Sequence, residues 1–448
     1  MSHLLIPGEA GSTRATMWVA AVDEPTVAGS LEVVAANGVR APLTAWDGVE
    51  HGGNRTVSYA RVQLANLPVR SRQRVELRRG TEVLAAATAT TLPDRLPGLA
   101  ERPFTILLGS CFARGPDAAG TVGRAYALLP AGARPDMKIL CGDQVYLDAP
   151  SIWTIAPATT EDELRRRLIE TYLLAWTQQP GYHQLLADGP NVFTSDDHDY
   201  WNNAPHWSVT APVTLKKDLR EMWWRVAHDL YRAFQRPMPP GTCRIDMDGL
   251  SILVVDTRTD RTEDQTAFMS DGDLHEVSEW AAQLTAPGCL VVGQLLFTGS
   301  AGWKGRFTDW GLPDFRQFPR LLEALGRAPR SVIVLTGDVH YGRVAVCEVA
   351  PGREIVEVVA SPLSLVAPIP KNDWHRAPES YPAEAVPGRV QRPIRTEGGY
   401  QLTSNHFATV ELSRGGAGGW TRLRVRAWPT ALNGALPVAA VEYVHSVP

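Results

Sequence analysis

The stretch Met137–Tyr146, MKILCGDQVY, joins an apolar run directly to a polar cluster. The run Met137–Cys141 predicts a buried strand, because short apolar runs bounded by turn residues are typical of the centre of a layered domain. Asp143 follows at once, so a carboxylate stands where the predicted strand ends. The same succession recurs at the ends of Phe104–Leu108, Asn191–Thr194, Ser251–Val255 and Ser331–Leu335.

Amphipathic helices are predicted between these strands. Apolar residues recur every four positions over residues 161–176, and a second apolar face extends over residues 215–235. Apolar strands that alternate with such helices are typical of an α/β domain. Further strands, which would form a second sheet, are predicted at 343–349, 354–359, 406–412 and 422–427.

Residues 1–97 show a different pattern, in which short alternating segments are separated by Gly, Pro, Asn and Asp. Regular short strands with turn signals predict an all-β sandwich. The proline-rich segment 91–103, TLPDRLPGLAERP, is typical of a linker. Because the chain is also too long for one ordinary core, we expect a small β-sandwich domain at residues 1–97 and an α/β domain at residues 98–448.

The composition argues against several classes of protein. A formal net charge of -4 over 448 residues argues against a stable nucleic-acid partner. The five cysteines are scattered without a CxxC pair, so neither a disulfide framework nor a zinc finger is predicted. No apolar run approaches the roughly 18 residues of a membrane span, and the start MSHLLIPGEAGST lacks the pattern of a leader. We expect a soluble, cytoplasmic protein, with export left open if a leader has been removed.

The stretch Thr194–Asn203, TSDDHDYWNN, crowds three carboxylates, one histidine and two asparagines together. Each negative charge raises the cost of ionising the next, so a bound cation is expected to neutralise them. A solvated Asx turn that caps a helix is the alternative interpretation. The recurrence of polar clusters at strand ends favours a site, because ligands of open α/β sheets bind beyond the carboxyl ends of the strands.

Two kinds of metal donor stand at these strand ends. The oxygen donors are Asp143, Asp196, Asp197, Asn202, Asn203 and Asp338, and the softer donors are Cys111, Tyr146 and His340. One ion rarely prefers both kinds, so two unlike ions that share a bridging carboxylate are expected. Such a pair stabilises the attacking and leaving oxygens of an in-line displacement, which phosphoester hydrolysis requires. Each donor alone could be a core residue, and Asp256 and Arg258 could be a loop ion pair. Five separate strand ends, however, would all have to carry such residues by chance.

Taken in order, these clusters resemble the motifs of the PhoD-like alkaline phosphatases, in the calcineurin-like metallophosphoesterase superfamily. The matching stretches are GSC at 109–111, GDQVY at 142–146, DDHDYWNN at 196–203, DTR at 256–258, VVGQLLF at 291–297 and GDVHY at 337–341. Their order and spacing match that family from about residue 100 to 365. The resemblance implies a four-layer sandwich of two mixed β-sheets flanked by helices, preceded by a small all-β sandwich domain.

The resemblance also implies a set of metal ligands. The ligands of a ferric ion (Fe3+) would be Cys111, Asp143, Tyr146 and His340. The ligands of calcium (Ca2+) would be Asp143, Asp197, Asp338 and one of Asn202 or Asn203. Asp143 would thus be shared by the two ions as a bridge. Asp196 would be a further ligand, or else would orient His198.

The function implied in this way is hydrolysis of a small-molecule phosphoester. A hydroxide that bridges the ions would attack phosphorus in line, His198 would protonate the leaving group, and Arg258 would clamp the phosphate bidentately. The alternatives are a phosphodiesterase or phospholipase that acts on diesters, and a binding protein whose site has lost activity. The chain departs from the family at Asp199, where the motif has glutamate, and the stretch MSHLLIPGEAGST shows no twin-arginine pattern. Beyond residue 370 there is no match, so the role of that segment stays open.

Overall fold

The computed structural model describes residues 2–24, 29–148, 160–209, 211–235, 241–306, 309–365, 376–416, 419–431 and 438–448. Two small sheets come first along the chain, and two larger sheets with helices on their outer faces follow. Among these residues, no helix is both long enough and apolar enough to cross a membrane.

The N-terminal region builds two antiparallel four-stranded sheets. The strands are β1 (His3–Ala10), β2 (Ala15–Val22), β3 (Glu32–Ala35), β4 (Arg40–Pro42), β5 (Gly48–Gly52), β6 (Arg55–Leu64), β7 (Arg72–Arg79) and β8 (Glu82–Thr90). Their orders are β1-β2-β6-β5 and β4-β3-β7-β8. Leu5 and Val19 of the first sheet share one apolar cluster with Val33 and Leu77 of the second. The predicted all-β sandwich is confirmed, whereas the domain boundary at residues 97 and 98 stays a prediction.

The remaining strands of the described chain form two mixed sheets. They are β9 (Phe104–Gly109), β10 (Met137–Cys141), β11 (Asn191–Thr194), β12 (Thr242–Met247), β13 (Leu250–Val255), β14 (Gly288–Val291), β15 (Val332–Thr336), β16 (Gly342–Ala350), β17 (Arg353–Val359), β18 (Ser380–Tyr381), β19 (Arg392–Leu402), β20 (His406–Arg414), β21 (Thr421–Pro429) and β22 (Val441–Val447). The orders are β11-β10-β9-β20-β21-β22 and β12-β13-β14-β15-β17-β16-β19-β18. Alternate side chains of both sheets meet in a shared core that includes Ile106, Ile139, Val254 and Leu335.

The four strands that we predicted as a second sheet are divided between the two sheets. β16 and β17 extend the eight-stranded sheet, whereas β20 pairs antiparallel with β9 and continues the six-stranded sheet through β21. The cause is a long-range alignment, in which Phe104 pairs with Leu412 and Leu108 with Ala408. No local pattern of the sequence reveals such a pairing, so this grouping was wrong.

Helices cover the outer face of each large sheet. Those of the described residues are α1 (Thr121–Ala127), α2 (Glu161–Trp176), α3 (Tyr182–Leu186), α4 (Lys217–Phe234), α5 (Asp271–Ala282) and α6 (Phe318–Arg327). Trp176 of α2 lies in one apolar cluster with Leu140 of the six-stranded sheet. Leu321 of α6 lies in another with Val334 of the eight-stranded sheet. The layers are therefore helix, sheet, sheet and helix, which confirms the expected fold class.

Both predicted long helices are present. The bounds of α2 match the prediction because Thr160 caps its N-terminus, with its Oγ1 accepting a hydrogen bond of 3.2 Å from the Glu163 backbone N–H. Acidic residues at 161–163 also favour the positive end of the helix dipole. The second helix begins at Lys217 instead of 215, because residues 212–215 form a 3-10 turn.

The carboxyl ends of the parallel strands meet at one edge of the two sheets. β9, β10 and β11 are parallel in one sheet, and β13, β14 and β15 are parallel in the other. The Ser110 hydroxyl after β9 accepts a hydrogen bond of 3.1 Å from the Asp338 backbone N–H after β15. Thr194 at the end of β11 donates to the carbonyl of Val255 at the end of β13, at 3.2 Å. The loops that follow six strands therefore face one another.

Candidate metal centre

The loops at this edge hold an uncommon backbone conformation. Positive φ angles, between 33° and 70°, occur at Cys111, Asp143, Asn203, Asp338 and His340. These are five of the nine non-glycine residues with positive φ in the described chain. Such strain costs about 1–3 kcal/mol per residue and is concentrated at functional sites. Backbone strain therefore marks the same loops as the sequence motifs.

Two glycines let these loops approach one another. Gly142 has a φ of 81°, and a Cβ at this position would overlap the Cβ of Asp196. A Cβ at Gly337 would likewise overlap the side chain of Ser110. The loops after β10 and β11, and those after β9 and β15, can approach this closely because these two positions lack a side chain.

Asp143 lies where three of the loops converge and is almost fully buried. Its Oδ2 lies 3.6 Å from the Cys111 Sγ and 3.3 Å from the Tyr146 hydroxyl. Its Oδ1 accepts a hydrogen bond of 3.0 Å from the backbone N–H of His198. One carboxylate therefore touches groups that follow β9, β10 and β11, which is the central position that a bridging ligand requires.

Side chains of the described residues form three groups whose donor atoms lie within 4.8 Å of one another. The groups are Cys111, Asp143 and Asp338; Asp143, Asp197 and His198; and Asp196, Asp309 and Asp338. Asp143 belongs to the first two groups, and Asp338 belongs to the first and third. The fold therefore brings five predicted ligands together, although Cys111 and Asp338 are 227 positions apart.

Burial and mutual repulsion oppose ionisation of these groups. Burial raises the pKa of Asp143 well above its usual value, and the charge of Asp197 adds to the effect. Burial and the charges of Asp196 and Asp197 likewise raise the pKa of Asp338. Burial and the charge of Asp143 raise the pKa of the Cys111 thiol. A bound cation would let these groups ionise together, so the donor set fits a metal site.

Asp199 ties the loops of the centre together. Its Oδ2 accepts hydrogen bonds from the backbone N–H groups of Asp143, at 2.9 Å, and Asp196, at 3.0 Å. Its Oδ1 accepts from the backbone N–H of Gln144 and from the side-chain amide of Gln235, at 3.1 and 2.8 Å. A single buried carboxylate thereby fixes the positions of two predicted ligands.

Asn203 fits the position of an oxygen ligand better than Asn202 does. Both polar atoms of the Asn203 amide are buried and have no hydrogen-bond partner within the described residues. The Oδ1 of Asn202 instead accepts a hydrogen bond of 2.8 Å from the Ser208 hydroxyl. Because a buried amide without a partner is costly, the Asn203 side chain suits a bound cation.

His198 is oriented by Asp148, which the sequence patterns did not single out. The His198 Nδ1 lies 2.7 Å from the Asp148 Oδ1, and the ring stacks on Tyr146 with centroids 4.2 Å apart. The other Asp148 oxygen accepts the backbone N–H of Asn202 at 2.8 Å. Although burial opposes protonation, the charges of Asp148 and Asp197 raise the pKa of His198 well above its usual value. The His198 side chain keeps 21% of its exposure, so part of the ring is open to solvent.

The guanidinium group of Arg258 is buried and engaged by the protein itself. Its Nε donates to the Asp196 Oδ1 at 2.7 Å, and its Nη1 donates to the Ala204 carbonyl at 2.7 Å. Asp309 accepts from Nη2 at 2.6 Å and from Nη1 at 3.2 Å. Nη2 also donates to Asp196. All five N–H groups therefore point at protein acceptors. This arrangement differs from the phosphate clamp expected of Arg258, because carboxylates of the protein occupy its fork.

Asp196 has one oxygen engaged and one without a hydrogen bond. Its Oδ1 accepts from Arg258, whereas its buried Oδ2 has no hydrogen-bond partner in the described part of the chain. The alternative role, orientation of His198, belongs to Asp148 in the structure. Asp196 as a metal ligand stays a prediction.

His340 lies two residues after Asp338, on the loop that follows β15. Its ring is not part of the three donor groups found among the described residues. Burial and the charge of His198 lower the pKa of His340 to about 4. The ring is therefore neutral near pH 7, which is the form that binds metal ions. Its role as an iron ligand stays a prediction.

Gln294 and Asp309 are further residues that the sequence patterns did not assign to the site. The Gln294 side-chain amide donates to the Asp338 Oδ2 at 3.4 Å and also contacts Asp309. Gln294 lies in the VVGQLLF motif. The motif marked this segment as similar to the family but did not indicate what Gln294 does. No local pattern marks Asp309, because its partner Arg258 lies 51 positions away.

The comparisons with known proteins bear on the fold. A solved structure described as "Structure of PhoD" matches the chain with a TM-score of 0.70 and 13% sequence identity, covering 99% of this chain and 90% of that chain. No family model and no curated protein sequence matches the chain. The structural match, which extends over the sandwich and both large sheets, shows that the chain has the fold of PhoD.

Proposed function

We propose that the chain is a metal-dependent hydrolase of phosphoric esters, similar in activity to the PhoD-like alkaline phosphatases. The observation that carries the proposal is the meeting of Cys111, Asp143, Asp197 and Asp338 at one edge of two sheets, with Asp143 shared by two donor groups. One of these groups includes the Cys111 thiol and the other does not, and a carboxylate shared by unlike donor groups fits two unlike cations. The fold of PhoD, over 99% of the chain, supports the same proposal.

The donors divide into sets that suit iron and calcium. The set with thiolate and phenolate would hold Fe3+ and consists of Cys111, Asp143, Tyr146 and His340. The oxygen set would hold Ca2+, which prefers oxygen ligands, and consists of Asp143, Asp197, Asp338 and Asn203. When bound, such cations supply positive charge for the phosphoryl oxygens and lower the pKa of an attacking water.

His198 would donate the proton to the leaving group. Its Nδ1 is held by the Asp148 carboxylate at 2.7 Å, so we assign the second ring proton, on Nε2, to the substrate. Although burial opposes protonation, the nearby charges, that of Asp148 first, raise the pKa of His198 and so favour the protonated ring that a general acid requires.

Arg258 would act on the centre and not on the substrate. It holds Asp196 and Asp309 in place and neutralises part of their charge, as its contacts indicate. This role replaces the phosphate clamp that the resemblance implied.

The proposal is tested with one chromogenic phosphomonoester and one chromogenic phosphodiester. For the metal-loaded protein we expect hydrolysis of at least one, and the ratio of the two rates decides between phosphatase and phosphodiesterase. Removal of a residue that only supports a metal ligand costs up to roughly 100-fold in metal affinity. Asp143→Asn removes a proposed ligand itself, so we expect a larger loss of metal affinity and a loss of activity with it. The control is Asp246→Asn, which changes an exposed carboxylate on β12. Full activity of Asp143→Asn on both esters contradicts the proposal.

A further inference from the structure

The segment after β17, residues 360–364, folds over the loop that carries Cys111. The Leu363 backbone N–H donates to the carbonyl of Ser110 at 2.8 Å, and the Ser364 N–H donates to the carbonyl of Cys111 at 3.3 Å. The Ser364 hydroxyl accepts the backbone N–H of Ala113 at 2.8 Å and donates to its carbonyl at 2.9 Å. Two segments that are 250 positions apart are therefore locked together around one cysteine.

Where these two segments meet, the Cys111 sulfur has hydroxyl groups as neighbours. The Ser361 Oγ lies 3.1 Å from the Sγ, and the Ser110 Oγ lies 3.5 Å from it. The carbonyl oxygen of Asp338 lies 3.2 Å from the same sulfur, but a carbonyl can only accept. Both Ser361 and Cys111 are fully buried, so no solvent reaches the sulfur. The two serine hydroxyls donate to the sulfur, and the hydroxyl of Tyr146, itself a predicted ligand, also contacts it.

Hydrogen bonds to a metal-bound thiolate have a known physical effect. They draw electron density from the sulfur, and in iron–sulfur sites they help to set the reduction potential. Outer partners of this kind also orient the ligand, and their removal typically costs about 10–100-fold in metal affinity.

We propose that Ser361 is a positioning residue for the Cys111 thiolate, to which it donates the hydrogen bond that sets the electron density available to a bound metal. The inference rests on the proposed function in one respect, namely that Cys111 is a metal ligand. Ser361 is the better placed of the two serine hydroxyls, because its Oγ is the closer to the sulfur and its hydrogen bond joins the segment after β17 directly to the loop that carries Cys111.

The experiment uses Co2+ as a reporter ion in the full chain, with the thiolate-to-cobalt charge-transfer band as the readout. Ser361→Ala should move this band to longer wavelength, because a thiolate without the hydrogen bond gives up an electron more easily. The dissociation constant for Co2+ should rise by about 10-fold. Ser361→Thr, which keeps the hydroxyl, should restore the position of the band.

Ser364→Ala is the matched control, since its hydroxyl holds the backbone of Ala113 without contacting the sulfur. Its band should stay at the wild-type wavelength. An unshifted band in Ser361→Ala, or an equal shift in Ser364→Ala, overturns the inference and leaves the hydrolase proposal standing. If Ser361→Ala does not fold, Ser361→Val, which has the shape of threonine without its hydroxyl, is compared with Ser361→Thr, and an equal band position in the two also overturns the inference. A wild-type protein without the band removes Cys111 as a ligand, and the inference falls with that assignment.

Discussion

At the scale of single residues, the candidate centre separates the buried groups proposed to hold a metal from the partly exposed His198, proposed to meet the substrate. Asp143 and Cys111 are buried beneath the loops, and burial together with neighbouring charge raises the pKa of each. His198 keeps 21% of its side-chain exposure and is held by Asp148 at 2.7 Å. A bound cation would therefore favour ionisation of the buried acids, whereas the charges of Asp148 and Asp197 favour the protonated form of His198.

Asp148→Asn should weaken proton donation by His198. Loss of the charge at 2.7 Å from Nδ1 lowers the stability of the protonated ring, so less of the acid form is present at neutral pH. For esters with poor leaving groups we expect kcat/KM to fall by about 100-fold, and for good leaving groups to change little. The measurement is a series of aryl phosphates that differ in the pKa of the leaving phenol.

The control for Asp148→Asn is Glu354→Gln, which alters a similar pair, Glu354 with His445 at 2.6 Å, away from the centre. Its rates should match those of the wild type for every ester. An equal loss in Asp148→Asn for good and poor leaving groups would show that Asp148 supports the fold and not the proton.

At the scale of elements, the structure consists of well-predicted strands that end in loops of unpredicted geometry. The bounds of β10, β11 and α2 match the sequence patterns, because apolar runs stop at polar residues and Thr160 caps the helix. β12 was missed, since its side chains are mostly exposed or half-buried and give little apolar signal. The sequence patterns also could not predict the positive φ angles of Cys111 and Asp143, because these angles depend on contacts between loops.

Gly142→Ala should disrupt the loops more than it strains its own backbone. The residue has a φ of 81°, and the new Cβ would overlap Asp196. We expect a loss of several kcal/mol in the free energy of unfolding, more than the roughly 1–2 kcal/mol of left-handed strain alone, with loss of bound metal. Urea unfolding and metal content are the measurements.

Gly352→Ala is the matched control for Gly142→Ala. Gly352 lies in the turn between β16 and β17, has a φ of 67°, and has open space where the Cβ would go. It should show the left-handed strain alone, with unchanged metal content. Equal destabilisation of the two variants, with metal retained in both, would mean that the close approach of the loops is not needed.

At the scale of the whole molecule, long-range pairing decides the architecture. The pairing of β20 with β9 places residues 406–414 in a different sheet from residues 342–359. The sequence could not reveal this, because a local pattern predicts a strand without naming its partner. The sandwich also docks on the helical layer, where the Trp18 Nε1 donates to the carbonyl of Ala233 at 2.8 Å. The class of fold was predictable from local patterns and motif order, whereas the partners of each strand were not.

The stability of this fold should depend on pH through His406 at the start of β20. The ring is fully buried, its Nδ1 lies 2.7 Å from the Ser404 carbonyl, and burial lowers its pKa from 6.5 to about 4. Between these values the unfolded chain binds a proton that the folded chain does not. The free energy of unfolding therefore falls as the pH falls through this window.

Between pH 7 and pH 5 this histidine should account for a loss of about 2 kcal/mol. In urea unfolding, the free energy of unfolding of His406→Asn should fall by about 2 kcal/mol less than that of the wild type between pH 7 and pH 5. This difference should hold whatever the stability of the variant at pH 7. His275→Asn, at an exposed position on α5, should keep the wild-type dependence. A wild-type dependence in His406→Asn would show that His406 is protonated in the folded chain.

The central claim is that the loops at the shared edge of the two sheets hold cations and that these cations are needed for hydrolysis. Elemental analysis of the purified chain, combined with activity after chelation and after re-addition of iron or calcium, tests it most directly. We expect at least two bound ions per chain, loss of activity with their removal, and recovery with their return. Full activity in a chain stripped of metal would contradict the account.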